Sequence, residues 1–125
     1  MDSKYVLSIA ETAWYQIKCG VGMNVVFSWG VSKRFYTTYK DMPTLMLRVS
    51  GAIHKGWVYV SLDELTDTYT ITLQNTKHVV KKTVEGIYCD QLGHVIDTLV
   101  ERPEGMSNEE YSHIAMADSA RKMSR

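Results

Sequence analysis

The chain has 125 residues, 45% of them hydrophobic, and a formal net charge of zero. A chain of this length suits one domain, and its two cysteines form no CxxC pair, which excludes a disulfide framework and a zinc finger. No apolar run is long enough to span a membrane, and Glu11 interrupts the N-terminal apolar pattern, so neither a transmembrane helix nor a signal peptide is expected. These features predict a cytoplasmic protein with reduced thiols.

The N-terminal segment has the spacing of an amphipathic helix. Its apolar residues recur at intervals of three and four, which places them on one face. They are Val6, Ile9, Ala10, Ala13, Trp14 and Ile17. Ser3 suits the N-cap, and Gly20 suits the left-handed conformation in which many helices end. The pattern predicts a helix from Ser3 to about Gly20.

From Met23 onward apolar and polar residues alternate, as they do in strands. Val25, Phe27 and Trp29 begin this pattern, and it continues more weakly through VSKRFYTTYK. Further strand-like runs occupy residues 44–50, 57–62, 68–73 and 78–84. The connections are short enough for antiparallel hairpins, and no helical spacing lies between the runs. We therefore predict an antiparallel β-meander of about four to five strands.

Helical spacing returns in GIYCDQLGHVIDTLVER, residues 86–102, and Pro103 ends it. The apolar stripe consists of Tyr88, Leu92, Val95, Ile96 and Leu99. Ser107 and Glu110 then form a capping box, so residues 103–125 are expected to be a short helix or a flexible tail. The fold class is α+β: a single domain over residues 1–102, with an N-terminal helix, the meander and a helix packed on the sheet.

Cys89 and His94 are the chain's nearest approach to a chemical motif. On one helix they would be separated by about 140° around the axis and about 7.5 Å along it, too far for a nucleophile and its base. We interpret Cys89 as a small residue at the edge of the core. His94 would share a solvated polar face with Asp90, Asp97 and Glu101. We therefore predict no catalytic, cofactor-binding or metal-binding residue.

A basic and aromatic segment is the best candidate for a binding surface. Residues 31–60 carry five basic residues against one acidic residue, whereas residues 61–110 carry ten acidic against four basic. The candidate surface residues are Lys33, Arg34, Tyr36, Tyr39, Lys40, Lys55, Trp57 and Tyr59. Such side chains suit a single-stranded nucleic acid, through stacking and phosphate contacts, and they equally suit a protein partner. A strand with one core face and a basic edge would show the same pattern.

The sequence resembles small uncharacterised proteins of bacteriophages and mobile elements of gut bacteria. Four segments carry the resemblance: Ile9-Ala10 with Gln16, FSWGVSK at residues 27–33, the strand pair with Asp67 and Tyr69, and GIYCDQL with Tyr88, Gln91 and Leu92. The resemblance extends loosely over residues 5–101. It implies an intracellular accessory protein of a mobile element, and it supplies no activity and no functional residue.

Three functions follow from these observations. The first is a non-enzymatic cytoplasmic binding protein whose target is another protein or a second copy of itself, without a cofactor and without a membrane partner. The second is a single-stranded nucleic-acid-binding protein that uses the basic and aromatic strand. The third, which the sequence supports least, is an enzyme centred on Cys89 or on the His94 face.

Overall fold

A computed structural model describes residues 2–101. In chain order its elements are α1 (Ser3–Val21), α2 (Met23–Ser28), β1 (Lys33–Tyr39), β2 (Met42–Ser50), β3 (Lys55–Asp63), β4 (Thr68–Gln74), β5 (Val80–Ile87) and α3 (Leu92–Val100). The predicted α+β fold, with an antiparallel meander between helices, is confirmed. The expected C-terminal helix or tail lies outside the described residues. Within residues 2–101 no helix combines the length and the apolar character needed to cross a membrane.

Helix α1 buries the predicted face but has different ends. Asp2, rather than Ser3, is its N-cap, and the Asp2 carboxylate accepts a hydrogen bond from the backbone N–H of Lys4 at 3.1 Å. The helix continues to Val21 and stops at Gly22, whose φ of 83° is in the left-handed region that glycine adopts without strain. The buried residues are Val6, Ala10, Ala13 and Ile17.

The prediction of a strand at residues 25–29 was wrong, because residues 25–28 belong to the helix α2 and Trp29 is its C-cap. Val26 and Trp29, three residues apart, are buried, whereas Phe27 between them is exposed. The alternation of Val25, Phe27 and Trp29 therefore did not mark one face of a strand. A helix of six residues is shorter than the window in which helical spacing can be distinguished from alternation.

The five strands form one sheet in the order β1-β2-β3-β4-β5, and each neighbouring pair is antiparallel. Successive side chains point to opposite faces, so the register fixes two sets of residues. One set, which includes Leu47, Val58 and Leu73 in a single cross-strand row, belongs to the core shared with the helices. We call this side the helix face. The other side, which includes Arg48, Trp57 and Gln74, contributes no residue to that core, and we call it the open face.

The core lies between the helix face and the three helices. Its largest fully buried side chains are Trp29, Ile17, Leu47, Ile71, Leu92 and Ile96. Helices α1 and α3 approach each other closely at Gly93, where an added Cβ would lie 3.0 Å from the backbone carbonyl oxygen of Ile17. A side chain at this crossing would be tightly packed against α1, and the absence of one in Gly93 lets the helices approach closely.

Two of the four residues expected on a solvated face of this segment, Asp97 and Glu101, are buried, whereas Asp90 and His94 are exposed. Asp97 and Glu101 are 3% and 4% exposed. Asp97 accepts a hydrogen bond from the Trp29 indole N–H at 2.8 Å, and Glu101 accepts one from the backbone N–H of Ala52. The expectation failed because a helical wheel shows spacing alone, and these carboxylates accept from groups that lie far away in sequence.

Candidate binding surfaces

A groove between α1 and the edge strand β1 is centred on Trp14. The Trp14 ring is half-buried, with the guanidinium of Arg34 4.8 Å from its centroid and the ammonium of Lys18 5.7 Å from it. Two cavities, of about 540 Å³ and about 220 Å³, are both lined by Trp14 and Arg34. The larger extends along α2, and the smaller extends along the first half of α1. We call the two cavities together the Trp14 groove.

The groove has apolar walls and a positively charged border. Met23 and Phe27 line the larger cavity and remain 41% and 42% exposed. They remain so because the short helix α2 turns Val26 and Ser28, rather than these two side chains, into the core. Among the described residues Glu11 is the only carboxylate that lines either cavity. The groove is thus suited to an apolar group that is accompanied by negative charge.

The open face carries a cluster of aromatic rings. The ring centroids of Phe35 and Trp57 are 6.2 Å apart. The imidazole of His78 stacks on the Trp57 ring, with a centroid distance of 5.4 Å. Tyr39 and Tyr59 meet edge to face at 5.0 Å. These rings come together because Phe35 and Tyr39 of β1, like Trp57 and Tyr59 of β3, occupy alternate positions on the same face. The separations are typical of stabilising aromatic pairs.

Hydrogen bonds join this cluster to the β4–β5 connection. His78 Nδ1 donates to the amide oxygen of Gln74 at 3.1 Å, and the hydroxyl of Tyr59 lies 3.3 Å from the same nitrogen. Burial raises the pKa of Tyr59 above its usual value, and the neighbouring Tyr39 raises this pKa further. The hydroxyl of Tyr59 therefore remains protonated at neutral pH.

Trp57 has a buried donor without an acceptor. Its side chain is 8% exposed, and among the described residues no group accepts a hydrogen bond from its indole Nε1. The guanidinium of Arg48 lies 5.5 Å from the Trp57 ring centroid. Arg48 is also the cross-strand neighbour of both Lys33 and Trp57, so two cations and the indole occupy one row of the sheet.

The structure divides the candidate surface residues between two places. Lys33, Tyr39, Lys55, Trp57 and Tyr59 lie on the open face by strand register. Arg34 and Tyr36 lie on the helix face, where both line the smaller cavity, and Lys40 lies in the turn between β1 and β2. The prediction grouped them because they are close in sequence, but neighbours on a strand point to opposite faces.

Sequence reasoning missed other residues of both surfaces. On the open face these are Phe35, Arg48, Gln74 and His78, and in the groove they are Trp14, Met23 and Phe27. Strict alternation from Lys33 would have selected Phe35 in place of Arg34. The pairing of β1 with β2, which brings Arg48 beside Lys33, left no signal in either strand alone.

The Cys89 segment differs from its expected form. Helix α3 begins at Leu92, so Cys89 and Asp90 precede it in a turn. Cys89 is exposed rather than at the edge of the core, and Cys19 is exposed as well. His94 is exposed on α3, while the nearby Asp97 is buried. Within residues 2–101 no group of three or more potential ligand side chains could hold a metal ion.

Comparison with known proteins identifies no relative of this chain. No protein-family model, no curated protein and no solved structure matches the chain. The resemblance to phage and mobile-element proteins therefore stays a prediction.

Proposed function

We propose that this chain is a non-enzymatic binding domain that holds an extended, acidic segment of a partner protein in the Trp14 groove. The observation that carries the proposal is the groove itself, in which the exposed apolar side chains of Met23 and Phe27 line the same cavity as the basic residues Lys33 and Arg34. A cytoplasmic location and an origin in a mobile element, which the resemblance implies, are parts of the same proposal.

The edge of the sheet supports an extended conformation for the partner. Within the described residues β1 pairs with β2 alone, which leaves its outer backbone N–H and C=O groups without a strand partner. An extended segment can add to such an edge through main-chain hydrogen bonds, while alternate side chains enter pockets beside it. The two cavities next to β1 would receive those side chains.

Charge favours an acidic partner over a second copy of the chain. Strand β1 contains Lys33 and Arg34 and no acidic residue, and the opposite edge strand β5 contains Lys81 and Lys82 against one acidic residue, Glu85. Pairing of two copies through these edges would bring basic side chains together, which is unfavourable. An acidic segment would instead gain attraction that steers its association and decreases with salt.

Selection from a displayed library of random linear peptides tests the proposal on the full chain. We expect enrichment of peptides that combine Asp or Glu with large apolar residues. Phe27→Ser and Arg34→Gln should each weaken a selected peptide about five- to tenfold, since each removes about 1 kcal/mol or more of apolar or charged contact. Protection of β1 amides from hydrogen exchange on peptide binding would show that the peptide pairs with the edge.

The control is Leu65→Ser, which alters a side chain that is 98% exposed in the β3–β4 turn. It should leave peptide affinity unchanged. Failure to enrich any peptide, or peptides that respond to Leu65→Ser as strongly as to Phe27→Ser, would contradict the proposal.

Binding of single-stranded nucleic acid stays a prediction and is not our first proposal. Five of the eight predicted residues do share the open face. However, the rings of Trp57 and Tyr59 are 8% and 7% exposed and pack on other rings of the cluster, whereas a base needs a free ring face on which to stack.

A further inference from the structure

We propose that the open face contains a binding site for a phosphate group, formed by Lys33, Arg48 and Lys55 beside the indole of Trp57. This site shares Lys33 with the border of the Trp14 groove, but it does not depend on the function proposed for that groove.

The strand register brings the three cations together. Lys33 and Arg48 are cross-strand partners on β1 and β2, and Arg48 is in turn the partner of Trp57 on β3. Direct partners of this kind have Cβ atoms about 5 Å apart. Lys55 precedes Trp57 by two residues, so it lies on the same face, roughly 7 Å along the strand. One multiply charged anion can therefore contact groups from all three strands.

The indole of Trp57 provides an observation that is independent of charge. A buried N–H without an acceptor is unfavourable, because it has given up its hydrogen bonds to water. Trp57 is 8% exposed, and its buried Nε1 has no acceptor within residues 2–101. An anion oxygen that reaches Nε1 as the neighbouring side chains adjust would supply that acceptor, and the bond would be strong because a charged acceptor binds more tightly.

The lack of nearby carboxylates points to an external anion. Strands β1 and β2 contain no Asp or Glu, and the carboxylate of Asp63 on β3 is eight residues from Lys55, or roughly 26 Å along the strand. None of the three cations has an acidic cross-strand partner. Because the free phosphate ion or a phosphomonoester carries about 1.5 to 2 negative charges at pH 7, it matches this cluster better than a single carboxylate does.

Titration of the full chain with inorganic phosphate, followed by NMR of the three tryptophan indole N–H signals, tests the site. We expect a saturable shift of the Trp57 signal, assigned with Trp57→Phe, and little change in the signals of Trp14 and Trp29. A parallel titration with oligothymidylate separates the sources of the phosphate. Stronger binding of the oligonucleotide identifies a nucleic-acid backbone, and equal or stronger binding of the free ion identifies a small phosphate ligand.

Two substitutions in the site, and a control on the same strand as Lys33, test which residues bind the phosphate. Arg48→Met keeps the length of the side chain and should weaken phosphate binding about tenfold or more, as expected for loss of a charge-assisted hydrogen bond. Lys33→Gln alters an exposed residue and should weaken binding about threefold. Arg34→Gln, one residue away but on the helix face, should have no effect. Absence of a saturable Trp57 shift with both probes, or equal effects of Lys33→Gln and Arg34→Gln, would overturn the proposal.

Discussion

The carboxylate of Asp97 and the indole N–H of Trp29 form a 2.8 Å hydrogen bond between residues that are 68 positions apart in sequence. Both side chains are almost fully buried. Asp97→Ala leaves a buried N–H without this acceptor, so we expect the free energy of unfolding to fall by about 1–3 kcal/mol. Urea denaturation measures the change. Asp90→Ala, which removes an exposed carboxylate from the preceding turn, should change it by less than about 0.5 kcal/mol. Equal effects of the two substitutions would contradict the structural role of Asp97.

Tyr69 makes the stability depend on pH in alkaline solution. Burial raises its pKa to about 12, with smaller contributions from Cys89 and Asp67, and its hydroxyl donates to the Gln16 amide oxygen at 2.7 Å. Below the ordinary tyrosine pKa of about 10 both the folded and unfolded states keep the proton. Between about pH 10 and pH 12 the unfolded state loses the proton first, so the free energy of unfolding should decrease.

Tyr69→Phe tests this pH dependence. The variant cannot ionise at this position, so its free energy of unfolding should decrease less than that of the unaltered chain over the same interval. Urea denaturation at pH 8, 10 and 11 measures the difference. Some decrease should persist, because the pKa of Tyr59 is raised as well. Parallel curves for the variant and the unaltered chain would show that Tyr69 does not hold its proton more tightly in the folded state.

At the scale of elements, the crossing of α1 and α3 depends on Gly93. An added Cβ would lie 3.0 Å from both the Ile17 carbonyl oxygen and the Val21 side chain, so Gly93→Ala should push the helices apart. We expect destabilisation by about 1–3 kcal/mol, measured by thermal or urea denaturation. Gly20→Ala is the matched control, because its Cβ would meet Gly93 at an ordinary 4.0 Å, and alanine favours a helix more than glycine does. A stable Gly93→Ala variant would show that the crossing is looser than described.

The sequence predicted those elements whose pattern repeats over many residues. The apolar face of α1 recurs over three turns, and the strands have short connections between them, so helix, meander and helix could be recognised. The six residues of α2 contain too few turns to distinguish helix from strand. In α3 Leu92 and Ile96 were expected on the core side and are buried, but the burial of Asp97 depended on a partner, Trp29, at the C-terminal end of α2.

At the scale of the whole molecule, both surfaces lie along the same strand but on opposite faces of the sheet. Arg34 contacts Trp14 on the helix face, whereas Lys33 and Phe35 belong to the open face. Composition indicated basic and aromatic character for residues 31–60, but which side chains act together depended on the covering of one face by the helices. Which face the helices cover is a property of the tertiary structure. The sequence therefore identified some of the candidate residues but did not predict which of them lie on the same face.

Lys33 connects the two surfaces, since it lines the larger cavity of the Trp14 groove and is also a cross-strand partner of Arg48. A phosphate group on the open face should therefore weaken binding of an acidic peptide in the groove. Two unit charges about 12 Å apart in water interact by roughly 0.3 kcal/mol, so a doubly charged anion should weaken the peptide about two- to threefold. By linkage the peptide must weaken phosphate binding by the same factor.

Calorimetric titration of a selected peptide, with and without saturating phosphate, measures this coupling. We expect a two- to threefold change in Kd at an ionic strength of about 0.02 M, and no change at about 0.5 M, where charges beyond a few ångströms are screened. The ionic strength is held equal in the paired titrations, so that general screening by phosphate cannot produce the effect. At a phosphate concentration that just saturates the unaltered chain, Arg48→Met should reduce the coupling while leaving the peptide's own affinity almost unchanged. Coupling that persists at high salt would show that the surfaces communicate through a conformational change instead of through charge.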